Sequence, residues 1–347
     1  MGEPALCTSA TAEIIAALPQ AIDPHALSLN ESPFPPLPAV RSALAHSLDS
    51  ANRYPEFLPG QMPRMIADRI GLNDDQVVVG PGASGVAMQV LHAVTRPGDR
   101  IVMSTPTFDG YPIFAQMARL APVSVPLDPY GYQDLVTMAE AATDAKVVVL
   151  CRPHNPTGTL EAISSIEWFL NQVSSNTIVL LDEAYVEFVA SRYRIDGPEL
   201  VRRFPNVVVL RTFSKAYGLA GLRIGYGFAA PELASTISGL QLPFGMSNVS
   251  VAAVAASYDA EDQLGQRIRR ITSERNNLRL RLMAMGVYSM DSHANFVYLP
   301  MARRPWQEVF AEAGLRVRYY DDGGARISVG EMSSTLAVLT AVEKSMV

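Results

Sequence analysis

Short runs of apolar, mostly β-branched residues alternate with longer amphipathic stretches through the middle of the chain. A strand buried on both faces needs such a run, and parallel neighbours are usually joined through a helix. The apolar runs predict seven strands, at residues 77–79, 101–104, 123–127, 147–151, 178–182, 207–211 and 224–228. The stretches between them predict helices at 84–94, 111–119, 134–142 and 164–173. This alternation is typical of an α/β fold with an open, mostly parallel seven-stranded sheet.

The pattern changes after Pro243. Residues 248–285 contain few helix breakers and carry arginines at helical spacing, which predicts one long helix leading into a second domain. Beyond it the pattern predicts strands at 287–290, 295–299, 315–320 and 326–329, and helices at 305–313 and 334–344. This mixture of elements indicates a smaller α+β domain.

Prolines dominate the segment just before residue 40, at positions 33, 35, 36 and 38. Proline is excluded from a helix interior and from a central strand, so the first ~50 residues are expected to form an extended arm. The predicted division is an N-terminal arm over 1–45 that packs with the small domain, a large domain over 46–245 and a small domain over 246–347.

Composition limits the classes of protein that this chain can represent. Its 347 residues exceed the size at which single cores usually stop growing, and 48% hydrophobic with 18% charged residues indicates a soluble globular protein. The net charge of −6 and the lack of a basic stripe argue against nucleic acid as the main partner. The apolar stretches are too short to span a membrane. Cys7 and Cys151 form no disulfide or metal-ligand pattern, and no secretory signal is visible, so a cytoplasmic location is expected.

The residues around Lys215 suggest covalent chemistry. Lys215 follows the apolar run 207–210, with Thr212 and Ser214 before it and Arg223 after it. An amine beside two hydroxyls and a guanidinium suits a phosphorylated aldehyde such as pyridoxal 5'-phosphate, with Lys215 as the Schiff-base residue and the other three side chains on the phosphate. A single lysine after a strand is more often an ordinary surface residue, so the other candidate residues must decide between a Schiff-base lysine and a surface lysine.

The turn Gly80-Pro81-Gly82-Ala83-Ser84-Gly85 follows the first predicted strand and opens a helix. Glycines permit the sharp turn, and the free N–H groups of a helix start attract phosphate. The spacing also matches a dinucleotide-binding motif, but the next strand ends in Ser104-Thr105-Pro106-Thr107 without the required carboxylate. A purely structural turn remains a further alternative.

A carboxylate, Asp182, ends the buried apolar run 178–181. Burying this charge costs several kcal/mol unless a cation pairs with it, and a protonated pyridine nitrogen would supply one. Tyr185, three residues on, and Asn155 in the turn after the previous strand are candidates for the phenolate oxygen of the same ring, although asparagine before proline commonly forms turns. A metal site at Asp182 and Glu183 is disfavoured because no histidine lies within ligand spacing.

An aromatic residue and three arginines complete the set of candidates. Phe108, after the second strand, is placed to stack on a planar cofactor, although core packing is the commoner role for a single phenylalanine. Arg326 on a predicted strand suits a substrate carboxylate, which a guanidinium binds with two parallel hydrogen bonds. Arg316 and Arg318 alternate, so only one of them is expected to face the site. Surface ion pairing is the alternative for all three arginines.

In their order along the chain these motifs resemble the fold-type I pyridoxal-phosphate aminotransferases, specifically the group of histidinol-phosphate and aromatic amino acid aminotransferases. The matching pieces are Asn30-Glu31-Ser32-Pro33, Arg53-Tyr54-Pro55, Gly82-Ala83-Ser84, Pro106-Thr107-Phe108, Asn155-Pro156-Thr157-Gly158, Asp182-Glu183-Ala184-Tyr185, Ser214-Lys215, Gly221-Leu222-Arg223 and Arg326-Ile327-Ser328-Val329-Gly330. Together they span positions 30 to 330, nearly the whole chain.

The resemblance implies a role for each matching residue. Lys215, Asp182 and Tyr185 would be catalytic, and no metal is expected. The implied contacts to pyridoxal 5'-phosphate come from Tyr54, Ala83, Ser84, Phe108, Asn155, Asp182, Tyr185, Thr212, Ser214, Lys215 and Arg223. Tyr54 would reach the site of a neighbouring subunit, which implies a homodimer with a shared active site. Asn30, Arg318 and Arg326 would bind substrate, with Arg318 at its distal end.

The resulting hypothesis is a ping-pong transamination through a Lys215 aldimine. The amino donor would be histidinol phosphate or an aromatic L-amino acid, and 2-oxoglutarate would be the co-substrate. A pyridoxal-phosphate decarboxylase resembling threonine-phosphate decarboxylase is the nearest alternative, and a catalytically silent cofactor-binding module is another.

Overall fold

A computed structural model of the protein describes residues 19–346 and contains two β-sheets. The strands are β1 (Ala26–Leu27), β2 (Val77–Pro81), β3 (Arg100–Thr105), β4 (Ala121–Pro126), β5 (Val147–Cys151), β6 (Ile178–Asp182), β7 (Val207–Thr212), β8 (Ile224–Phe228), β9 (Phe296–Leu299), β10 (Arg316–Tyr319) and β11 (Ala325–Ser328). The large sheet has the order β2-β8-β7-β6-β5-β3-β4, with β8 antiparallel to both neighbours and every other pair parallel. The predicted α/β fold with a mostly parallel seven-stranded sheet is confirmed.

Helices precede and follow most strands. They are α1 (Pro38–Ser47), α2 (Gln61–Ile70), α3 (Gly82–Val94), α4 (Gly110–Met117), α5 (Leu135–Ala141), α6 (Ile163–Gln172), α7 (Gly197–Arg203), α8 (Pro231–Ser238), α9 (Asn248–Asp259), α10 (Glu261–Ala284), α11 (Trp306–Glu312) and α12 (Met332–Met346). No helix within residues 19–346 is long and apolar enough to cross a membrane.

The central strands are buried on both faces because helices cover the sheet from two sides. In β5, Val148 and Leu150 belong to one hydrophobic cluster, whereas Val147 and Val149 belong to another on the opposite face. Alternate residues of a strand point to opposite faces, so a strand covered twice needs apolar residues at every position. This requirement explains the continuous β-branched runs in the sequence.

The small sheet has the order β1-β10-β11-β9. Strand β1 pairs in parallel with β10, with Ala26 opposite Arg316, while β10 and β11 are antiparallel with Arg318 opposite Arg326. The polypeptide before α1 therefore contacts the small sheet directly. Residues 1–18 of the predicted arm, which include Cys7, lie outside the described residues.

Three local predictions were wrong. The long helix predicted over 248–285 is two helices, because the backbone leaves helical geometry at Ala260 (φ −106°, ψ 33°). No strand forms at 287–290 in the described structure. The arm is not extended throughout, since Pro38 begins α1, where its missing N–H costs nothing and its fixed φ favours a helix.

Candidate active site

The carboxyl ends of β5, β6 and β7 bring the predicted chemistry to one edge of the large sheet. Cys151 lies opposite Asp182 in the register, and Asp182 lies opposite Leu210. A cavity of ≈ 380 Å³ opens at this edge. The predicted residues that line it are Ala83, Ser84, Phe108, Asn155, Asp182, Tyr185, Thr212, Ser214, Lys215 and Arg223. Ligands of open parallel sheets characteristically bind at this edge.

Lys215 directs its amine into this cavity. Nζ donates a 2.9 Å hydrogen bond to the carbonyl oxygen of Leu29 and lies 5.8 Å from the centroid of the Tyr185 ring. Burial and the positive charges of Arg326 and Arg223 lower the pKa of the amine from 10.5 to about 8, against an opposing contribution from Glu31. A larger fraction of the amine is therefore neutral and nucleophilic near neutral pH.

Asp182, the last residue of β6, is held by two hydrogen bonds. Oδ2 accepts one of 2.6 Å from the phenol of Tyr111, and Oδ1 accepts one of 2.9 Å from the backbone N–H of Ala184. Burial raises the pKa of Asp182, whereas these hydrogen bonds and the charge of Lys215 lower it. A cation at the cavity side of this carboxylate would stabilise its charge further.

A hydrogen-bonded chain connects the small sheet to the cavity. Arg326 donates from Nη1 to Oδ1 of Asn155 at 2.6 Å, and the other end of that amide donates to the phenol oxygen of Tyr185 at 3.3 Å. Asn30 donates to the same phenol oxygen at 3.0 Å. Burial raises the pKa of Tyr185, which therefore remains a neutral phenol at neutral pH.

Asn30 has a strained backbone conformation and is held in place by hydrogen bonds to the small sheet. Its φ of 54° lies in the left-handed region, which asparagine tolerates better than most residues. Its N–H donates to Oγ of Ser328 at 2.8 Å, and that hydroxyl donates to Oδ1 of Asn30 at 3.1 Å. The predicted substrate residue Asn30 thus lies against Tyr185 at the edge of the cavity.

One end of the cavity has the donors that a phosphate needs. Thr212 Oγ1 donates to Oγ of Ser214 at 3.0 Å and accepts from the N–H of Ser214 at 3.1 Å. Arg223 lies against the first residue of α3, where a Cβ on Gly82 would collide with the guanidinium. Gly82 also has a φ of 78°, so glycine is required there on two grounds. Hydroxyls, a guanidinium and the N-terminus of a 13-residue helix together form an anion-binding site.

The lining residues fit pyridoxal 5'-phosphate at each of its functional groups. The phosphate would lie at Ser84, Thr212, Ser214 and Arg223, and the ring nitrogen would face Asp182. Asn155 and Tyr185 would offer donors for the phenolate oxygen, and Lys215 would supply the amine for the aldehyde. Phe108 lines the cavity with its ring perpendicular to that of Tyr111, at a centroid distance of 5.7 Å.

Four predicted positions lie outside the cavity lining. Asn30 is one of them, and it contacts the lining residue Tyr185. Tyr54 is 83% exposed and packs on Phe244 at a ring-centroid distance of 4.8 Å, so its role toward a neighbouring subunit stays a prediction. Arg318 forms an ion pair with Asp109 at 3.1 Å. Arg326 reaches the cavity through Asn155 rather than lining it.

Two residues at the site were missed from the sequence. Tyr111 falls in a predicted helix, and nothing local indicates that its phenol reaches Asp182. His154 is fully buried between Ser104 and Thr157, at 3.0 and 2.8 Å, and burial lowers its pKa to about 3. His154 is therefore neutral and fixes the turn that carries Asn155. Among residues 19–346 no group of three or more histidine, cysteine, aspartate or glutamate side chains has metal-binding geometry.

The sequence matches a family model and curated relatives over most of its length. The model for aminotransferase class I and II matches residues 23–339. An aromatic amino acid aminotransferase from Rhodococcus opacus (strain B4) is 41% identical over 323 residues, covering 91% of this chain and 90% of the relative. A protein of the same description from Streptomyces coelicolor is 39% identical, covering 92% of this chain and 90% of the relative.

Solved structures share the fold. The histidinol-phosphate aminotransferase of Sinorhizobium meliloti in complex with pyridoxal-5'-phosphate has a TM-score of 0.86 and 25% sequence identity, covering 99% of this chain and 100% of that chain. The L-threonine-O-3-phosphate decarboxylase of Porphyromonas gingivalis has a TM-score of 0.77 and 22% identity, covering 88% of this chain and 94% of that chain. At 22% identity, the similarity to the decarboxylase shows a shared fold alone.

Proposed function

The chain belongs to the class I and II aminotransferase family, and from that premise we propose that it transfers the amino group of an aromatic L-amino acid to 2-oxoglutarate. It is a pyridoxal-phosphate-dependent aminotransferase, with an amino acid and an oxo acid as substrates. The observation that carries the proposal is the amine of Lys215 in one cavity with Asp182, Asn155 and the phosphate-binding residues. Curated relatives at 38–41% identity that are named for aromatic amino acids support the choice of donor.

The cofactor, when bound, supplies an aldehyde carbon that takes up the amino group and a ring that withdraws electrons from the substrate Cα. Lys215 would hold the cofactor at its aldehyde carbon and, once the substrate amine has displaced it, its freed amine would move the proton of the substrate Cα. Its pKa of about 8 suits a base that must accept and return a proton near neutral pH. Asp182, oriented by Tyr111, keeps a proton on the ring nitrogen. Asn155 and Tyr185 orient the ring through its phenolate oxygen.

Arg326 is the proposed ligand for the α-carboxylate that donor and acceptor share. Its side chain is 5% exposed, and Nε has no hydrogen-bond partner among the described residues. Nη1 and Nη2 are held by Asn155 and by the carbonyl oxygen of Ser28. Because a buried unpaired donor is costly, a carboxylate that satisfies Nε would gain from binding there.

The lining of the cavity supports an apolar donor side chain. Leu29, Phe108 and Phe114 contribute apolar surface, and Leu29 is 63% exposed. Aromatic rings favour edge-to-face contacts, which Phe108 and Phe114 already make with each other. The histidinol-phosphate aminotransferase among the solved structures makes histidinol phosphate the second donor to be compared.

We also propose a homodimer with a shared active site. Tyr54, Phe57 and Phe244 form an exposed aromatic cluster, with Phe57 and Phe244 edge to face at 5.1 Å. Burying this cluster against a second copy would remove apolar surface from water and would take Tyr54 toward the partner's cavity. The cytoplasmic location and the division into an arm and two domains remain predictions from the sequence.

Replacing Lys215 with alanine tests the proposed function. The lysines of the chain are Lys146, Lys215 and Lys344, and Lys146 also donates from Nζ to a backbone carbonyl oxygen, that of Asn176 at 3.1 Å. Lys215→Ala should abolish turnover of phenylalanine, tyrosine and histidinol phosphate with 2-oxoglutarate, whereas Lys146→Ala should retain it. Borohydride reduction of the loaded protein, followed by mass spectrometry, should place the pyridoxyl mass on the Lys215 peptide. The proposal fails if Lys215→Ala keeps its turnover, or if carbon dioxide rather than an oxo acid is released.

A further inference from the structure

Three of the aromatic rings that line the cavity contact each other edge to face. They belong to Phe108, Tyr111 and Phe114. The ring centroids of Phe108 and Tyr111 are 5.7 Å apart, with an interplanar angle of 88°. Those of Tyr111 and Phe114 are 5.8 Å apart at 83°, and those of Phe108 and Phe114 are 6.3 Å apart at 68°. Aromatic pairs prefer this geometry, so each ring supports the other two.

Two of these rings have a proposed role toward the cofactor, and the third has not. Phe108 is the predicted stacking partner of the cofactor ring, and the phenol of Tyr111 donates to Asp182 at 2.6 Å. Phe114 lies three positions after Tyr111 on α4, so the two side chains project from the same side of that helix. Removing the ring of Phe114 would therefore take one aromatic neighbour from Phe108 and one from Tyr111.

Gly110, the first residue of α4, leaves the space that two of the rings occupy. A Cβ at this position would lie 2.5 Å from Cε1 of Phe108 and 2.9 Å from Cζ of Phe114, which is too close for the rings to stay in place. The φ of Gly110 lies outside the left-handed region, so the backbone itself does not require glycine. Glycine is needed here because the rings of Phe108 and Phe114 approach the backbone closely.

We infer that Phe114 is a positioning residue for the cofactor, because its ring fixes the stacking ring of Phe108 and the phenol of Tyr111 together. This inference rests on the proposed function for the stacking role of Phe108. The side chains of Phe108 and Phe114 are only partly buried, so their contact with each other restricts rotations that the core does not. Without the ring of Phe114, Phe108 would gain freedom to turn, and the hydrogen bond from Tyr111 to Asp182 would lose alignment.

Phe114→Leu is the decisive variant, because it keeps an apolar side chain and removes the flat ring. Titration of the apoprotein with pyridoxal 5'-phosphate should give a dissociation constant roughly threefold to tenfold higher, the range expected for the loss of an aromatic contact. The circular dichroism of the bound cofactor in its visible absorption band should weaken relative to the absorbance, because the cofactor ring is held less firmly. Urea unfolding of the apoprotein shows whether the variant is folded.

Gly110→Ala tests the same rings from the other side. The added methyl group should displace Phe108 and Phe114 and should also raise the dissociation constant of the cofactor. Phe114→Leu removes the ring atom that this methyl group would meet. The double variant should therefore raise the dissociation constant by less than the product of the two single factors, since residues in contact do not act additively.

Phe310→Leu is the matched control. Phe310 on α11 is buried, and its ring stacks on that of Trp306 at a centroid distance of 5.6 Å, outside the cavity lining. This variant also loses an aromatic contact, so it should lower stability and leave cofactor affinity and circular dichroism unchanged.

The inference is overturned if Phe114→Leu leaves the dissociation constant and the circular dichroism unchanged, or if Phe310→Leu changes them equally. It is also overturned if Phe114→Leu raises only the KM of the donor, because Phe114 would then contact the donor alone. If Phe114→Leu does not fold, an unchanged dissociation constant in Gly110→Ala overturns the inference instead. If the unaltered protein binds the cofactor but turns over no donor, the proposed function fails, while the cofactor measurements still decide the inference.

Discussion

The phenol of Tyr111 donates a 2.6 Å hydrogen bond to Oδ2 of Asp182. The two residues are 71 positions apart, and both are buried where α4 meets the end of β6. With the N–H of Ala184 on the other carboxylate oxygen, the hydrogen bond fixes the orientation of Asp182 and stabilises its charge. Tyr111 is therefore a positioning residue that acts through Asp182.

Tyr111→Phe should weaken cofactor binding. The change removes the hydrogen bond and keeps the ring, so the pKa of Asp182 should rise and its hold on the cofactor's ring nitrogen should weaken. A hydrogen bond to a charged group is worth about 1.5–3 kcal/mol, which predicts roughly a 10- to 100-fold higher dissociation constant. Titration of the apoprotein with pyridoxal 5'-phosphate, followed by absorbance, measures it.

Tyr298→Phe is the matched control. Its phenol also donates to an aspartate at 2.6 Å, but the acceptor is Asp322 in the small sheet region, outside the cavity lining. This variant should change stability without changing cofactor affinity. Equal losses of affinity in both variants would contradict a specific role for Tyr111.

Cofactor attachment should follow the pKa of Lys215. Only the neutral amine attacks the aldehyde, and a pKa lowered from 10.5 to about 8 makes that form abundant as pH rises through 8. Stopped-flow mixing of apoprotein with cofactor should therefore give a rate with a midpoint near pH 8. Glu31→Gln should move the midpoint to lower pH, because the Glu31 carboxylate stabilises the protonated amine. Glu140→Gln, on the exposed side of α5, is the control and should leave the midpoint unchanged. A midpoint near pH 10.5 in the unaltered protein would refute the lowered pKa of Lys215.

The buried ion pair next to Asp182 should be essential for stability. Glu183 is completely buried, and its Oε2 accepts hydrogen bonds from Nε and Nη2 of Arg211 at 3.0 and 2.8 Å. Glu183→Gln leaves the arginine charge buried and unpaired, which should lower the free energy of unfolding by about 3–5 kcal/mol. Urea denaturation measures the change.

The surface pair Glu199–Arg202, at 3.2 Å, supplies the comparison. Glu199→Gln should cost at most about 1 kcal/mol, since both partners are exposed. The double variant Glu183→Leu with Arg211→Met should recover part of the loss, because no unpaired charge remains. A loss in Glu183→Gln no larger than that in Glu199→Gln would contradict the argument.

The sequence predicted the large sheet and the cavity residues because local patterns encode them. Strands β5, β6 and β8 have the predicted boundaries, and in β5 and β6 a continuous apolar run marks the strand because both of its faces are covered. Residues that end or follow such strands must meet at one edge, so the sequence alone predicts that Asp182 and Lys215 lie in one site.

Features that depend on tertiary contacts were not predictable in this way. The break at Ala260 involves no proline or glycine, so no local signal in the sequence marks it. The stretch 287–290 has apolar residues but no neighbouring strand to pair with in the described structure, so its propensity is not realised. The partners of Tyr111 and Arg318 lie far away in sequence, and the hydrophobic pattern of a sequence does not predict such contacts.

Arg326→Lys should raise KM for donor and acceptor together, with a smaller effect on kcat. Nη1 and Nη2 of Arg326 are engaged by Asn155 and Ser28, which leaves Nε for the α-carboxylate that both substrates carry. A lysine has one compact ammonium and cannot serve all three acceptors, so carboxylate binding should weaken about 10- to 100-fold, the range for a charged hydrogen bond. Steady-state kinetics with each substrate varied in turn measures both KM values. The control is Arg316→Lys. Arg316 lies on the neighbouring strand β10, is exposed and pairs with Asp23, so this variant should leave both KM values unchanged. If KM rises for only one of the two substrates, Arg326 recognises a group other than the shared carboxylate.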